Sequence, residues 1–312
     1  MEVKIMKKTF KKRAFISAIA MLIVSAIVLT SATYAWFSMA KRVEVESMEL
    51  NVTSPEGIQI SANTSAFTTK LTVDNIKGTD ETAGGKRFNA YTGNMNNVPT
   101  TVKPSSSMFE TKDALPNWFD GSINDQGTMD IYSVDETRGG FVAFDLFIKV
   151  KSATTVKFGS SNVSCAGNAE LPTAMRIALV NCGTVQENAE ASAIKSVLPP
   201  NTNTRKVVYE VDASNHTVAA QALGASGIMT TDPVRSAGLG IKCRTDYPNI
   251  ISGSNTYNLF ATLATNASAA KINVAAGITR MRVYMWMEGN DVDCANDVAG
   301  STINFNLVLE ID

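Results

Sequence analysis

The sequence predicts an all-β fold: an antiparallel β-sandwich behind an N-terminal apolar segment. Three observations predict it. Several stretches alternate apolar and polar residues with the period of two that a half-buried strand requires. Helical periodicity is scarce once the N-terminus is passed. Long connections rich in Gly, Asn, Pro and Ser separate the alternating stretches, the layout of an antiparallel sandwich.

The first element is the apolar one. Ala14 to Ala40 carries no charge and follows Lys7, Lys8, Lys11, Lys12 and Arg13. A basic cluster beside an apolar segment resists translocation, so it stays inside while the residues beyond are exported. Thr33 and Ala35 stand where a signal peptidase reads small residues. Residues 1–35 therefore read as a signal peptide. About 20 apolar residues suffice to span a bilayer, so an uncleaved anchor is the rival reading. A type IV prepilin helix, the third reading, normally carries an acidic residue near its start, and none occurs between Met6 and Arg42. Under the first two readings residues 36–312 form the exported part, placed outside the cell or on its surface, with membrane contact only through the N-terminal segment.

The string Thr33-Tyr-Ala-Trp-Phe-Ser38 resembles the end of the SipW-type signal peptides of the TasA and camelysin family. These are exported proteins that include biofilm matrix fibre proteins, processed by a dedicated signal peptidase. In that family a Thr, an aromatic, Ala and then Phe straddle the cut, and a first strand follows. Trp36 departs from the pattern, so the cut falls on one side of it or the other. The resemblance covers about 20 residues closely. It implies a jelly roll, and it implies that the strand freed by cleavage adds to a sheet edge. Val43, Val45, Met48, Leu50 and Val52 are the candidates for that assembly strand. Added to a neighbouring copy, such a strand makes a head-to-tail contact, and repetition of the contact makes a filament. The alternative is that it forms the first strand of its own domain.

The later strands are plainer. Gly140–Lys151 turns Val142, Phe144, Leu146, Ile148 and Val150 to one face, and Asp145, Lys149 and Lys151 to the other. Met175, Ile177 and Leu179 repeat the pattern, as do Met281, Val283, Met285 and Met287. Ile303, Phe305, Leu307, Leu309 and Ile311 close the series. Shorter candidates are Gly57–Ser61, Phe67–Val73, Met129–Val134, Lys206–Val211 and Tyr257–Leu263. The best helical stretch is Glu187–Val197, stopped by Pro199 and Pro200. Residues 75–126 and 213–256 read as long loops, short further strands or binding surface. A pair of smaller sandwiches divided near Pro199-Pro200 is the rival architecture.

Composition narrows the function classes. Without residues 1–35 the chain keeps 22 basic against 28 acidic residues, a net charge near −6. That balance, with no basic stripe, argues against nucleic-acid binding. The four cysteines, Cys165, Cys182, Cys243 and Cys294, all lie in the exported part. In an oxidising compartment they predict two disulfides, and three pairings are open. Cys165–Cys182 with Cys243–Cys294 is the favoured set, because the first pair brackets one strand; four reduced, buried thiols are the alternative. No CxxC spacing for zinc occurs.

The chain has one histidine, His216, in the polar stretch Asp212–Thr217. A zinc protease of the HExxH type is thereby excluded, and a catalytic triad would have to use a residue that reads as part of an exposed loop. No GxGxxG, Walker A or nucleophile elbow is present, so no catalytic residue and no cofactor is expected. Asp291, Asp293 and Asp297 cluster after the Met281–Glu288 strand. They read either as a calcium site or as a strand-ending turn whose Asn and Asp bond their own backbone. Trp286 shares a face with Arg282 and Tyr284 and reads as packing on the outer sheet surface. The sequence thus points to an exported structural protein of the cell surface or matrix, whose partners are itself, other matrix proteins and the signal peptidase. A surface adhesin or carbohydrate-binding module is the alternative.

Overall fold

The computed structural model describes residues 47–53, 57–77, 80–82, 87–89, 96–99, 102–105, 111–112, 115–116, 118–123, 129–134, 140–166, 170–197, 206–223, 241–243, 263–289, 291, 293–294 and 302–311. The leader with Thr33, Ala35 and Trp36, and Val43, Val45 and Asp297, lie outside the described residues.

The chain is all-β. Its strands run β1 (Ser47–Thr53), β2 (Gln59–Ser61), β3 (Lys70–Thr72), β4 (Asp80–Thr82), β5 (Arg87–Asn89), β6 (Asn96–Asn97), β7 (Thr111–Lys112), β8 (Leu115–Pro116), β9 (Trp118–Ile123) and β10 (Met129–Val134). They continue as β11 (Val142–Val150), β12 (Thr154–Phe158), β13 (Asn162–Ala166), β14 (Met175–Val185), β15 (Lys206–Glu210), β16 (Ile241–Cys243), β17 (Leu263–Ala264), β18 (Lys271–Val274), β19 (Gly277–Met287) and β20 (Thr302–Ile311). Short helices at Val73–Lys77, Leu171–Ala174, Ala191–Lys195 and Val218–Leu223 join some of them.

Two large sheets result. The first has the order β18-β12-β20-β1-β3, with β13 also against β20. The second has the order β17-β15-β14-β19-β11-β6-β5-β4, with β2 also against β11. The chain changes sheet repeatedly. It enters the first at β1, the second at β2, the first at β3, the second at β4, the first at β12, the second at β14, the first at β18, the second at β19 and the first at β20. One of these corners, between β18 and β19, turns at Gly277, whose φ is +117°. A side chain there would meet the Val185 carbonyl oxygen at 2.1 Å, so only glycine fits.

The alternation read from the sequence explains this arrangement. Val142, Phe144, Leu146, Ile148 and Val150 of β11, and Met281, Val283, Met285 and Met287 of β19, share one apolar core with Val52, Ile303, Phe305, Leu307 and Leu309 of the first sheet. Met175, Ile177 and Leu179 of β14 join it, and Ile311 packs at its margin. Burying each such side chain contributes about 1.5–3 kcal/mol, so the shared core is the main force holding the two sheets together.

Two features depart from expectation, and the open reading of the long connections narrows to short further strands. β1 pairs parallel, not antiparallel, with β20 along its whole length, Ser47 opposite Thr302 through Thr53 opposite Val308. A parallel pair needs a long connection, and the whole domain lies between these strands. The 75–126 and 213–256 regions contain strands β4 to β9 and β16, and a short helix at Val218–Leu223. Finally, Cys165, Cys182 and Cys294 are free thiols, so neither favoured disulfide forms. Cys165 lies on β13 and packs against the shared core. Cys182 follows Ala178 and Val180 on β14, on the far side of the second sheet. A disulfide needs Cα atoms within about 7 Å, and stacked sheets alone are about 10 Å apart. Nearness in sequence does not tell on which side of a sheet a cysteine lies.

Candidate functional site

The outward face of the second sheet is itself buried. Phe141, Ala143, Ala178, Val180, Val208, Tyr284 and Trp286 form a second apolar cluster there, so Trp286 is a packing residue, as its sequence position suggests. At one end of this face three strands bring a charged row together. Arg176 on β14 stands opposite Glu210 on β15 and opposite Trp286 on β19. Glu288 lies two residues beyond Trp286 and accepts its indole N–H at 3.0 Å.

Two turns lower further groups onto this row. After β19, the Asp291 N–H bonds the Glu288 carbonyl at 3.1 Å, and the Cys294 N–H bonds the Asp291 carbonyl at 3.0 Å. This winds Asp291 and Asp293 back over the sheet end. After β15, Asp212 closes a turn, accepting the Asn215 N–H on its carbonyl at 3.0 Å and the Asn215 side-chain amide on Oδ1 at 2.7 Å. Such turns are what Asp and Asn favour. Thr217 caps the next helix through Oγ1, which accepts the Ala220 N–H at 3.3 Å. His216, between turn and cap, points inward.

His216 is thus buried, only 4% exposed, and not in an exposed loop as its polar neighbours suggested. Its Nδ1 meets Asp293 Oδ2 at 2.7 Å and its Nε2 meets Glu210 Oε1. Asp293 also accepts the Thr217 N–H at 3.1 Å, the Thr217 hydroxyl, and the Thr173 hydroxyl at 2.8 Å. Arg176 is anchored by Nη1 to the carbonyls of Thr173 at 2.6 Å and Met175 at 3.1 Å. Its Nη2 donates to Asp291 Oδ2 at 2.6 Å and lies 3.3 Å from Glu210 Oε1.

The electrostatics follow from this packing. Burial alone would lower the pKa of Arg176, but Asp291, Glu210 and Glu288 outweigh it and hold the guanidinium above its ordinary value. Burial likewise opposes charge on His216, yet hydrogen bonds to Asp293 and Glu210 lift it to about 9. Burial pushes Asp291 up to about 6 against the pull of Arg176. For Asp293, burial is overcome by hydrogen bonds from His216, Thr217 and Thr173, and its pKa falls. Burial, then Asp291 and Glu288, raise Cys294 well above a free thiol.

Of the sequence-predicted calcium candidates, Asp291 and Asp293 are both buried, but they serve different cations, Arg176 and His216. Asp297, the third candidate, lies outside the described residues. The donor atoms that do converge belong to Glu210, His216 and Asp291, which lie within 4.8 Å of one another. Arg176 and Glu210 escaped sequence reasoning; the only available signal was a charged residue at an apolar-flanked position of each strand.

A second polar group lies farther along the same face. The Asp145 carboxylate accepts Arg280 Nη2 at 2.9 Å and Arg282 Nη1 at 3.3 Å. Arg280 Nη1 reaches the carbonyls of Lys195 and Val197, at 2.9 and 2.7 Å, and clamps the helix Ala191–Lys195 to the sheet. Burial pushes the nearby Cys182 thiol up to about 11, with Asp145 adding to the rise and the two arginines opposing it.

No protein-family model, no curated protein and no solved structure matches this chain. Among the described residues no helix is long and apolar enough to cross a membrane.

Proposed function

We propose that the chain is an exported structural protein of the cell surface or extracellular matrix, a jelly-roll-like subunit that assembles by strand addition. The observation that carries this reading is the place of β1. The first described strand after the leader sits inside a sheet, between β20 and β3, and pairs with β20 over seven residues. Such a slot accepts the same segment from its own chain or from a neighbour's, and an exchange that does not close on itself makes a fibre. The repeated change of sheet along the chain supports the jelly-roll reading. The burial of His216, with both ring nitrogens engaged, supports a structural rather than an enzymatic role.

The test is negative-stain microscopy of the mature protein at increasing concentration. Filaments that vanish on deleting residues 36–52 support the reading. A cross-link between Asn51→Cys and Asn306→Cys, which are Cα partners across β1 and β20, would hold β1 at home. The oxidised form should stay monomeric and the reduced form should assemble. A monodisperse monomer at every concentration, reduced as well as oxidised, would refute it.

A further inference from the structure

We propose that Glu210, His216 and Asp291 bind one divalent transition-metal ion of the zinc class, with Asp293 as the outer partner of the histidine. The donor types and their spacing come first. One imidazole nitrogen and two carboxylates lie within 4.8 Å of one another, near enough that a small inward shift of the side chains would bring them to bonds of about 2.0–2.2 Å on one ion.

The histidine is oriented for the task. Its Nδ1 lies 2.7 Å from Asp293 Oδ2 while its Nε2 faces Glu210. A ligating histidine nearly always gives its other ring N–H to a carboxylate, which fixes the ring and makes the free nitrogen a better donor. Asp293 is itself held by Thr173 and Thr217.

An independent observation points to a missing partner. Glu210 Oε2 is buried and has no hydrogen-bond partner among the described residues, on a side chain that is 0% exposed. Leaving a buried carboxylate oxygen unpaired is costly, and native sites rarely do so. Its other oxygen, Oε1, already serves His216 and Arg176. The ion would take Glu210 through Oε2, while Arg176 keeps its anchors on the Thr173 and Met175 carbonyls.

Charge closes on the same answer. Glu210, Glu288, Asp291 and Asp293 set four buried carboxylates around one permanent cation, Arg176. A divalent ion would offset most of that buried negative excess. The nitrogen donor and the small donor set suit zinc and its neighbours better than calcium, which takes six to eight oxygens. Buried beneath two turns, the ion would tie the Asp212–Thr217 turn and the loop after β19 to the end of the second sheet.

The experiment uses the exported chain purified without chelators. Elemental analysis should find one zinc-class ion per chain, and cobalt added to the stripped protein should give the visible absorption of a low-coordinate site. Zinc should raise the melting temperature of the stripped wild type, a readout that needs no variant. Glu210→Gln should abolish the cobalt absorption while circular dichroism confirms the β fold. Asp293→Asn should weaken binding about 10–100-fold without abolishing it. Absence of metal in the purified protein, with neither cobalt absorption nor a zinc-dependent melting shift, would overturn the site. Equal binding by folded Glu210→Gln would overturn its location.

Discussion

Replacing Asp145 with Asn tests the electrostatic account of the second sheet's outer face. Asp145 is fully buried and its two oxygens face two guanidiniums, Arg280 at 2.9 Å and Arg282 at 3.3 Å. Asparagine keeps the shape but removes the charge, and it presents an amide N–H where an arginine needs an acceptor. Removing one partner of a buried ion pair costs about 3–5 kcal/mol. The arginine side chains keep 15% and 11% exposure, so water screens them in part and the lower end, about 3 kcal/mol, is expected. Urea unfolding should show the loss as a lower midpoint with unchanged slope. A second readout is specific to charge. Cys182, held at about 11 by burial and then by Asp145 against Arg280 and Arg282, should titrate lower in the variant. The pH dependence of its alkylation would show the shift. A variant within about 0.5 kcal/mol of wild type, the ordinary range for surface substitutions, and with an unchanged Cys182 profile, would refute the reasoning.

The remaining predictions are briefer. Leu307→Ala, fully buried in the shared core, should lower the unfolding free energy by about 3 kcal/mol through the cavity it leaves; denaturant titration measures this. Gly277→Ala should lower the melting temperature, because φ +117° and the Val185 carbonyl leave no room for a methyl group; a strain of about 1–3 kcal/mol is expected. In chelator-treated protein, His216 has a folded pKa of about 9 against 6.5 when free. Its contribution is therefore complete below pH 6.5 and lost as pH rises through about 9, a drop of about 3 kcal/mol. A stability profile that is flat or rising from pH 7 to 10 would contradict this. Peptide mapping after alkylation of unreduced, unfolded protein should recover Cys165, Cys182 and Cys294 as modified thiols, with no Cys165–Cys182 link.

Much of the fold was legible because alternation reports burial directly. The inward sets of β11, β14, β19 and β20 follow from the period of two, and Lys206–Val211 and Met129–Val134 came within a residue of β15 and β10. β12, β13 and β18 were missed: they are short and carry Thr, Asn, Ser or Lys on their outer face, so each alternation spans too few residues to stand out from a loop. The helix at Ala191–Lys195 fell inside the stretch ahead of Pro199-Pro200 that favours it.

The candidate site was legible in fragments. Asp291 and Asp293 drew attention as a cluster, and His216 as the lone histidine, but nothing in their spacing joins them to Arg176 and Glu210. Those residues meet because β14, β15 and β19 lie side by side, and register across strands is invisible along one. For the same reason Cys165 and Cys182 looked paired when their sheet faces kept them apart.

The sequence alone determined the alternating strands, the apolar core they build and the apolar N-terminal segment, since each depends on residues close together in the chain. Only the tertiary structure decided that β1 runs parallel to β20, that both faces of the second sheet are buried, and that a histidine from a polar turn is enclosed by carboxylates. Those outcomes depend on which distant strands become neighbours, and that is settled by the packing of the whole core.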